Sequence, residues 1–213
     1  MRDDGVVVIG AGGHAAVVVS TLLAAGVPVA AIVDDEAGAQ GRVILGVPVA
    51  GPLRLLRERA GARAVVAIGD NAARRRVAAS LPNVEWITVV HPRATVAPEV
   101  TIGAGSVVFA GAVLQPRVTI GAHAIVNTGA TVDHDSRLGD FAHAGPGSHL
   151  SGTSVLDEGA FLGAGAATIQ GVRIGAWTTV GVGAAVVRDL PGGVIAMGVP
   201  ARIARRLSSA TEG

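Results

Sequence analysis

The chain has no cysteine and no tyrosine, and aromatic residues make up only 2% of it. Without cysteine there can be no disulfide, no thiolate metal site and no acyl-cysteine intermediate, a pattern that suits a reducing cytoplasm. A surplus of positive charge is also missing, since the formal net charge is +1. A phosphate backbone would find neither a basic face nor aromatic rings for stacking, so nucleic acid is not an expected partner. The opening Met1-Arg2-Asp3-Asp4 has no basic stretch leading into a signal-like apolar core, and a cytoplasmic protein is expected. The segment from Ala15 to Val33 carries no charge and approaches the roughly 20 residues of a membrane span. Gly26 and Pro28 divide it and Asp34 and Asp35 end it, so it reads as helix, turn and buried strand, with no membrane partner.

What the chain does have is apolar residues, 50% of the total against 15% charged, which is the composition of a packed globular protein. From Val90 to Val186 an aliphatic residue stands at every sixth position, as at Ile102, Leu114, Val126, Leu138, Leu150, Leu162 and Ile174, with Ala144 and Thr168 the departures. Four residues after each is a small or short side chain, such as Ser106, Ala112, Ala130, Ser148 or Ala166, until Leu190 breaks the rule. Two coupled periodicities over almost a hundred residues predict a solenoid. In it the aliphatic residue points inward, the small one lets the backbone turn, and three units close an 18-residue coil. Glycines directly after the aliphatic position, as at Gly103, Gly121, Gly139 and Gly163, suit corners with unusual backbone angles. The scarcity of large rings fits a narrow prism interior.

Ahead of the repeat the pattern is α/β. Gly5 to Ile9 reads as a buried strand, Gly10 to Gly13 as a tight turn, His14 to Ala25 as a helix and Pro28 to Val33 as a second strand. A short helix over Pro52 to Ala60, a strand over Ala64 to Ile68 and a helix over Arg74 to Ser80 continue the alternation. The expected division is a Rossmann-like half domain over 1–88, a parallel β-helix over 89–191 and a tail over 192–213. Gly10-Ala11-Gly12-Gly13-His14-Ala15 fits the loose dinucleotide fingerprint, with Asp34 and Asp35 downstream. Such a turn cradles a phosphate and an acid after the second strand binds a ribose or base. The alternative is glycines that only shape a strand-to-helix turn. The region holds about half of a full dinucleotide fold, so a mononucleotide or nucleotide-sugar suits it better than NAD.

His134 and His143 both fall outside the inward register, and the run Asn127 to Asp135 is the densest polar cluster on the repeat. An external histidine is either merely solvated or available for chemistry. The order of a glycine-turn α/β domain, an Asn-Thr run, His134 flanked by Asp133 and Asp135, His143 nine residues on, and Gly198-Val199-Pro200-Ala201-Arg202 resembles one family. It is that of the sialic-acid O-acetyltransferase-like hexapeptide-repeat acyltransferases, which includes the N-acetyltransferases of nucleotide-linked 4-amino sugars.

The resemblance implies a left-handed β-helix, a homotrimer, acetyl-CoA as cosubstrate and no metal. It implies His134 as general base, Asp135 as the acid that raises its basicity, Asn127 in the acceptor pocket and His143 against acetyl-CoA. Asp133 stays open as an alternative to Asp135. One coil beyond His134 lies Gly152, whose N–H is a candidate oxyanion donor, and Ala164 and Val182, one coil apart, are candidates for the pantetheine arm. Gly10, Ala11, Gly12, Asp34 and Asp35 are candidates for the nucleotide handle. Histidine titrates near the working pH and can take the proton lost by an attacking amine. Nine positions along, His143 sits half a coil from His134, poorly placed to share a site with it within one chain, so sites at subunit interfaces are expected. The expected function is N-acetylation of a nucleotide-linked amino sugar. The alternatives are O-acetylation of a sialic acid or other hydroxyl, a zinc lyase using His134, His143 and His149, and a non-enzymatic binding module.

Overall fold

A computed structural model describes residues 5–57, 59 and 61–207, so the Met1–Asp4 reading and the end of the tail lie outside the described residues. The α/β part comprises β1 (Val6–Ile9), α1 (Gly13–Ala24), β2 (Val29–Val33), β3 (Val43–Ile44), β4 (Val47–Gly51), α2 (Arg54–Arg57), β5 (Arg63–Val66), α3 (Asn71–Ala79) and β6 (Glu85–Trp86). Its sheet runs β3-β4-β2-β1-β5-β6. Only β3 and β4 pair antiparallel; β1 is central, buried on both sides and continuously apolar, as a parallel strand flanked on both faces must be. The helix expected from Pro52 spans just Arg54–Arg57, and positions 58 and 60 lie outside the described residues. The hairpin β3–β4 went unread in the sequence. It turns on Leu45 and Gly46, both in the left-handed region that two-residue hairpin turns demand.

From Val89 onward the chain winds into a solenoid of two-residue strands, and the second residue of each is the aliphatic position of the repeat, from Val90 to Val186. Strands pair in parallel with the strand 18 residues later, as Val107 with Ile125 and Leu114 with Val132. Three sheets form the three faces. The aliphatic residues and the small corner residues together fill the prism, with Leu114, Leu138, Leu150, Leu156 and Leu162 almost wholly buried. The strand Val194–Met197 continues the first face by pairing with Thr179–Val180, and Arg202–Arg206 then folds back antiparallel upon it.

The left-handed backbone falls elsewhere than expected. It occurs three residues after the aliphatic position, at glycines such as Gly105, Gly129 and Gly165, but also at Glu99, Arg117, His123, Asp135, Phe141, Thr153 and Trp177. The glycines directly after the aliphatic position meet a different constraint, the close approach of coils. A β-carbon on Gly103 would stand 2.5 Å from the carbonyl carbon of Gly121, and one on Gly163 would stand 2.5 Å from the Val180 oxygen.

On the first face the outward-pointing column is Val89, Val107, Ile125, His143, Phe161 and Thr179. Its lower part is apolar because the α/β part covers it: Val89, Val107, Phe109 and Ile125 share one buried cluster with Val6, Val8, Ala15, Val18 and Leu22. α3 completes the junction through Arg74, which is 1% exposed. Its guanidinium donates to the carbonyls of Ile68 (2.9 Å), Gly69 (3.2 Å), His123 (2.8 Å) and Phe141 (2.7 Å) and to Asn71 Oδ1 (2.7 Å). Asn71 Nδ2 in turn donates to the Gly159 carbonyl at 3.0 Å, and Arg75 lies over the Trp177 ring at 5.3 Å.

Candidate active site

His134 occupies the corner after the strand Thr131–Val132, with its side chain 53% exposed. Its Nδ1 stands 2.8 Å from Asp135 Oδ2. Asp133 instead accepts the backbone N–H of His134, at 2.8 Å. Of the two flanking acids, only Asp135 therefore touches the ring. Asp135 reaches back because its φ of 59° turns the side chain against the preceding residue. Its two oxygens also accept from Arg117, Oδ1 from Nε at 2.6 Å and Oδ2 from Nη2 at 2.9 Å. The Arg117 guanidinium, and after it His134, holds the Asp135 carboxyl well below the usual carboxylate range. With Nδ1–H donated to a carboxylate that stays ionised, the lone pair of the imidazole is on Nε2.

That Nε2 faces Gly152, where a β-carbon would stand 2.8 Å from it. The Gly152 carbonyl accepts from Gly171 N–H at 3.0 Å, while its own amide donates to no backbone carbonyl among the described residues. The Nε2 side of the ring thus lies against Gly152, one coil beyond His134, and the Gly152 N–H makes no backbone hydrogen bond among the described residues.

His143 lies outside the prism, as its phase requires, yet it is only 8% exposed because the α/β part covers it. Its Nε2 is 3.0 Å from Asn127 Nδ2. The amide is oriented by its own Oδ1, which accepts from Thr128 N–H at 2.8 Å. Burial pushes His143 down to about 3, with the charge of Arg74 adding to the effect, so the ring is neutral at physiological pH. The expected pocket residue Asn127 is thus the partner of His143. His14, not singled out by sequence, stands 6.4 Å from the His143 ring and 5.3 Å from Phe109, and its Nε2 is buried with no partner. Burial pushes it down to about 4. No hydrogen bond or ring contact among the described residues joins His134 to His143.

The glycine turn follows β1. Gly10 adopts φ 108°, and Ala11 N–H donates to Asp34 Oδ2 at 2.6 Å. Asp34 Oδ1 accepts from Glu36 N–H and Asp35 Oδ1 from Leu53 N–H, each at 2.8 Å. Both acids thus brace the loops around the turn. Gly12 is the uncapped N-cap of α1 and is open to solvent, with nothing within 4 Å of where its β-carbon would be. Ala164 and Val182 stack one coil apart, Gly183 N–H donating to the Ala164 carbonyl at 2.9 Å. Val182 is 80% exposed, and exposed Met197 approaches the backbone beside it at Gly181. A cleft of about 450 Å³, lined by Gly69, Asp70, Asn71, His143, Phe161 and Trp177 among others, separates the loop after β5 from the first face. Arg74, Arg117, His14 and Trp177 were all missed in the sequence. Among the described residues no three His, Asp or Glu side chains are grouped to hold a metal ion, and no helix is long and apolar enough to cross a membrane.

Residues 5–81 match the family model described as the PglD N-terminal domain. The chain is similar to PerB from Caulobacter crescentus, solved in complex with CoA and GDP-perosamine: 48% identity, TM-score 0.89, 95% of this chain and 98% of that one covered. That likeness, over nearly the full length of both chains, decides the matter. The chain belongs to the hexapeptide-repeat acyltransferases. The acetyltransferase domain of PglB from Neisseria gonorrhoeae FA1090, solved with acetyl coenzyme A, is 40% identical, with TM-score 0.87 over 95% of this chain and 100% of that one. WeeI from Acinetobacter baumannii AYE is 28% identical, with TM-score 0.85 over 93% and 99%. An uncharacterized protein, L142, of Acanthamoeba polyphaga mimivirus is 31% identical over 98 residues, which are 46% of this chain and only 20% of that protein's length. As in this acyltransferase family, the solenoid is a left-handed β-helix.

Proposed function

We propose that the protein transfers the acetyl group of acetyl-CoA to the amine of a nucleotide-linked 4-amino-4,6-dideoxy sugar. The observation that carries this is the pairing of His134 Nε2 with Gly152, while Asp135 occupies the other ring nitrogen. The sugar amine attacks the thioester carbonyl and its proton passes to Nε2. The oxyanion forms against Gly152 N–H. As the C–S bond breaks, the imidazolium returns the proton to the departing CoA sulfur. With no cysteine in the chain, direct attack is preferred to an acyl-cysteine.

Acetyl-CoA fits the residues present, since Ala164 and the exposed Val182 line an apolar corner along which a pantetheine arm can lie. The α/β part takes the nucleotide at the open N-terminus of α1, with Asp34 and Asp35 shaping the turn. His134 of one subunit meets His143 of the partner subunit in a homotrimer, in the cytoplasm. The relative solved with CoA and GDP-perosamine supports this substrate class.

Purified protein offered acetyl-CoA with GDP-, UDP- and dTDP-linked 4-amino sugars is expected to release thiol with at least one of them. His134→Asn is expected to abolish that release. No thiol release with any, or full activity in the variant, overturns the proposal.

A further inference from the structure

The catalytic corner holds one cation that the proposed chemistry does not use. Arg117 lies one coil below Asp135, and the two grip each other through a guanidinium fork, at 2.6 and 2.9 Å. Oδ2, the oxygen that takes the second of these bonds, is also the one that meets His134 Nδ1. Glu99, Arg117, Asp135 and Thr153 form one column, each in the left-handed conformation with φ between 56° and 63°. Backbone geometry thus stacks their side chains along the prism edge, and Arg117 is the member beneath the acid that touches the ring.

We propose that Arg117 is a positioning residue for the transfer, clamping Asp135 so that Oδ2 holds His134 with Nε2 turned to Gly152. This rests on His134 being the base. A carboxylate on a left-handed corner residue is free to rotate about two bonds, and a single bond to an exposed imidazole does not stop it. A bidentate arginine does, because its planar fork accepts only one carboxylate orientation. As an isolated exposed pair it would add little to stability, so its consequence lies in the geometry it imposes.

The charged groups at this corner are Asp133 on the His134 backbone N–H, Asp135 on the ring, Arg117 on Asp135 and Glu99 below Arg117; His149 is on the adjoining face. The guanidinium offsets part of the carboxylate's pull on a ring proton. Its removal therefore does two things. It frees Asp135 to rotate, which lowers kcat, and it leaves the carboxylate unopposed, which moves the acid limb of the pH–rate profile to higher pH.

The test is steady-state thiol release by full-length Arg117→Ala, Arg117→Lys and His134→Asn from about pH 5.5 to 9, across the range where histidine titrates. Arg117→Ala is expected to lose about tenfold or more in kcat, the scale for removing the outer partner of a working histidine. KM for both substrates is expected to hold, and the acid limb to rise. Arg117→Lys keeps the charge without the fork, so its acid limb stays near wild type while kcat recovers only in part. An unchanged profile and kcat in Arg117→Ala, beside an inactive His134→Asn, overturns the proposal alone. Equal losses in both Arg117 variants with an unmoved acid limb also overturn it, because that marks a structural role. An active His134→Asn overturns the base assignment and this proposal with it.

Discussion

A β-carbon on Gly152 would stand 2.8 Å from His134 Nε2 and 2.9 Å from its Cε1. Glycine is needed at this position for clearance, since Gly152 has no left-handed φ. Gly152→Ala is expected to swing the exposed ring aside at little cost to the fold and to lower kcat about a hundredfold, as a displacement of about 1 Å at the reacting groups does. Thiol-release kinetics and a melting curve check it together. A variant with wild-type kcat would mean the ring does not work in this orientation.

Arg74 is a buried cation whose acceptors are four carbonyls and an amide, with no carboxylate among them. Two of those carbonyls, His123 and Phe141, belong to the β-helix, and the guanidinium ties it to the α/β part. Arg74→Met leaves one buried and four part-buried acceptors unpaired and is expected to destabilise the protein by about 3 kcal/mol. Lysine, with three donors on a point charge, cannot replace the fork. Urea unfolding of both variants measures the effect.

The repeat made the β-helix legible, because an interior that admits one aliphatic and one small residue per strand leaves a periodic record from Val90 to Val186. The phase of His134 and its offset to Gly152 were readable for the same reason. The burial of His143 was not, because it depends on a second body laid against the prism. A signal existed nonetheless. Four of the six outward residues of the first face, Val89, Val107, Ile125 and Phe161, are apolar, whereas four of the five at the same phase on the third face, Thr101, Thr119, Arg137 and Arg173, are polar. A face apolar on both sides is a covered face. Arg74 and Arg117 had no such signal, since an arginine that bridges distant segments looks in sequence like a solvated one.

Burial pushes His14 and His123 down to about 4 and His143 to about 3, from an ordinary value of 6.5. Each binds a proton less readily folded than unfolded. Their contribution to stability is fully present above about pH 6.5 and is lost as pH falls toward the folded values. Between about pH 6 and pH 4 each histidine steepens the slope by about 1.4 kcal/mol per pH unit. Urea midpoints across that interval should fall steeply, and His123→Gln should flatten the dependence by about a third. A flat profile in the wild type would contradict the burial of these rings.

The strand Arg202–Arg206 reverses direction after a stack of parallel strands, and every one of its residues is exposed. A solenoid that ended on a parallel rung would offer its last edge to the next molecule, and stacking of whole proteins into fibres would be the natural outcome. On the first face the final edge is antiparallel, out of register with any incoming coil, and carries Arg202, Arg205 and Arg206, which repel their own copies. On that face the stop is written in backbone direction and charge, and it leaves no parallel rung there on which a second copy could continue the stack.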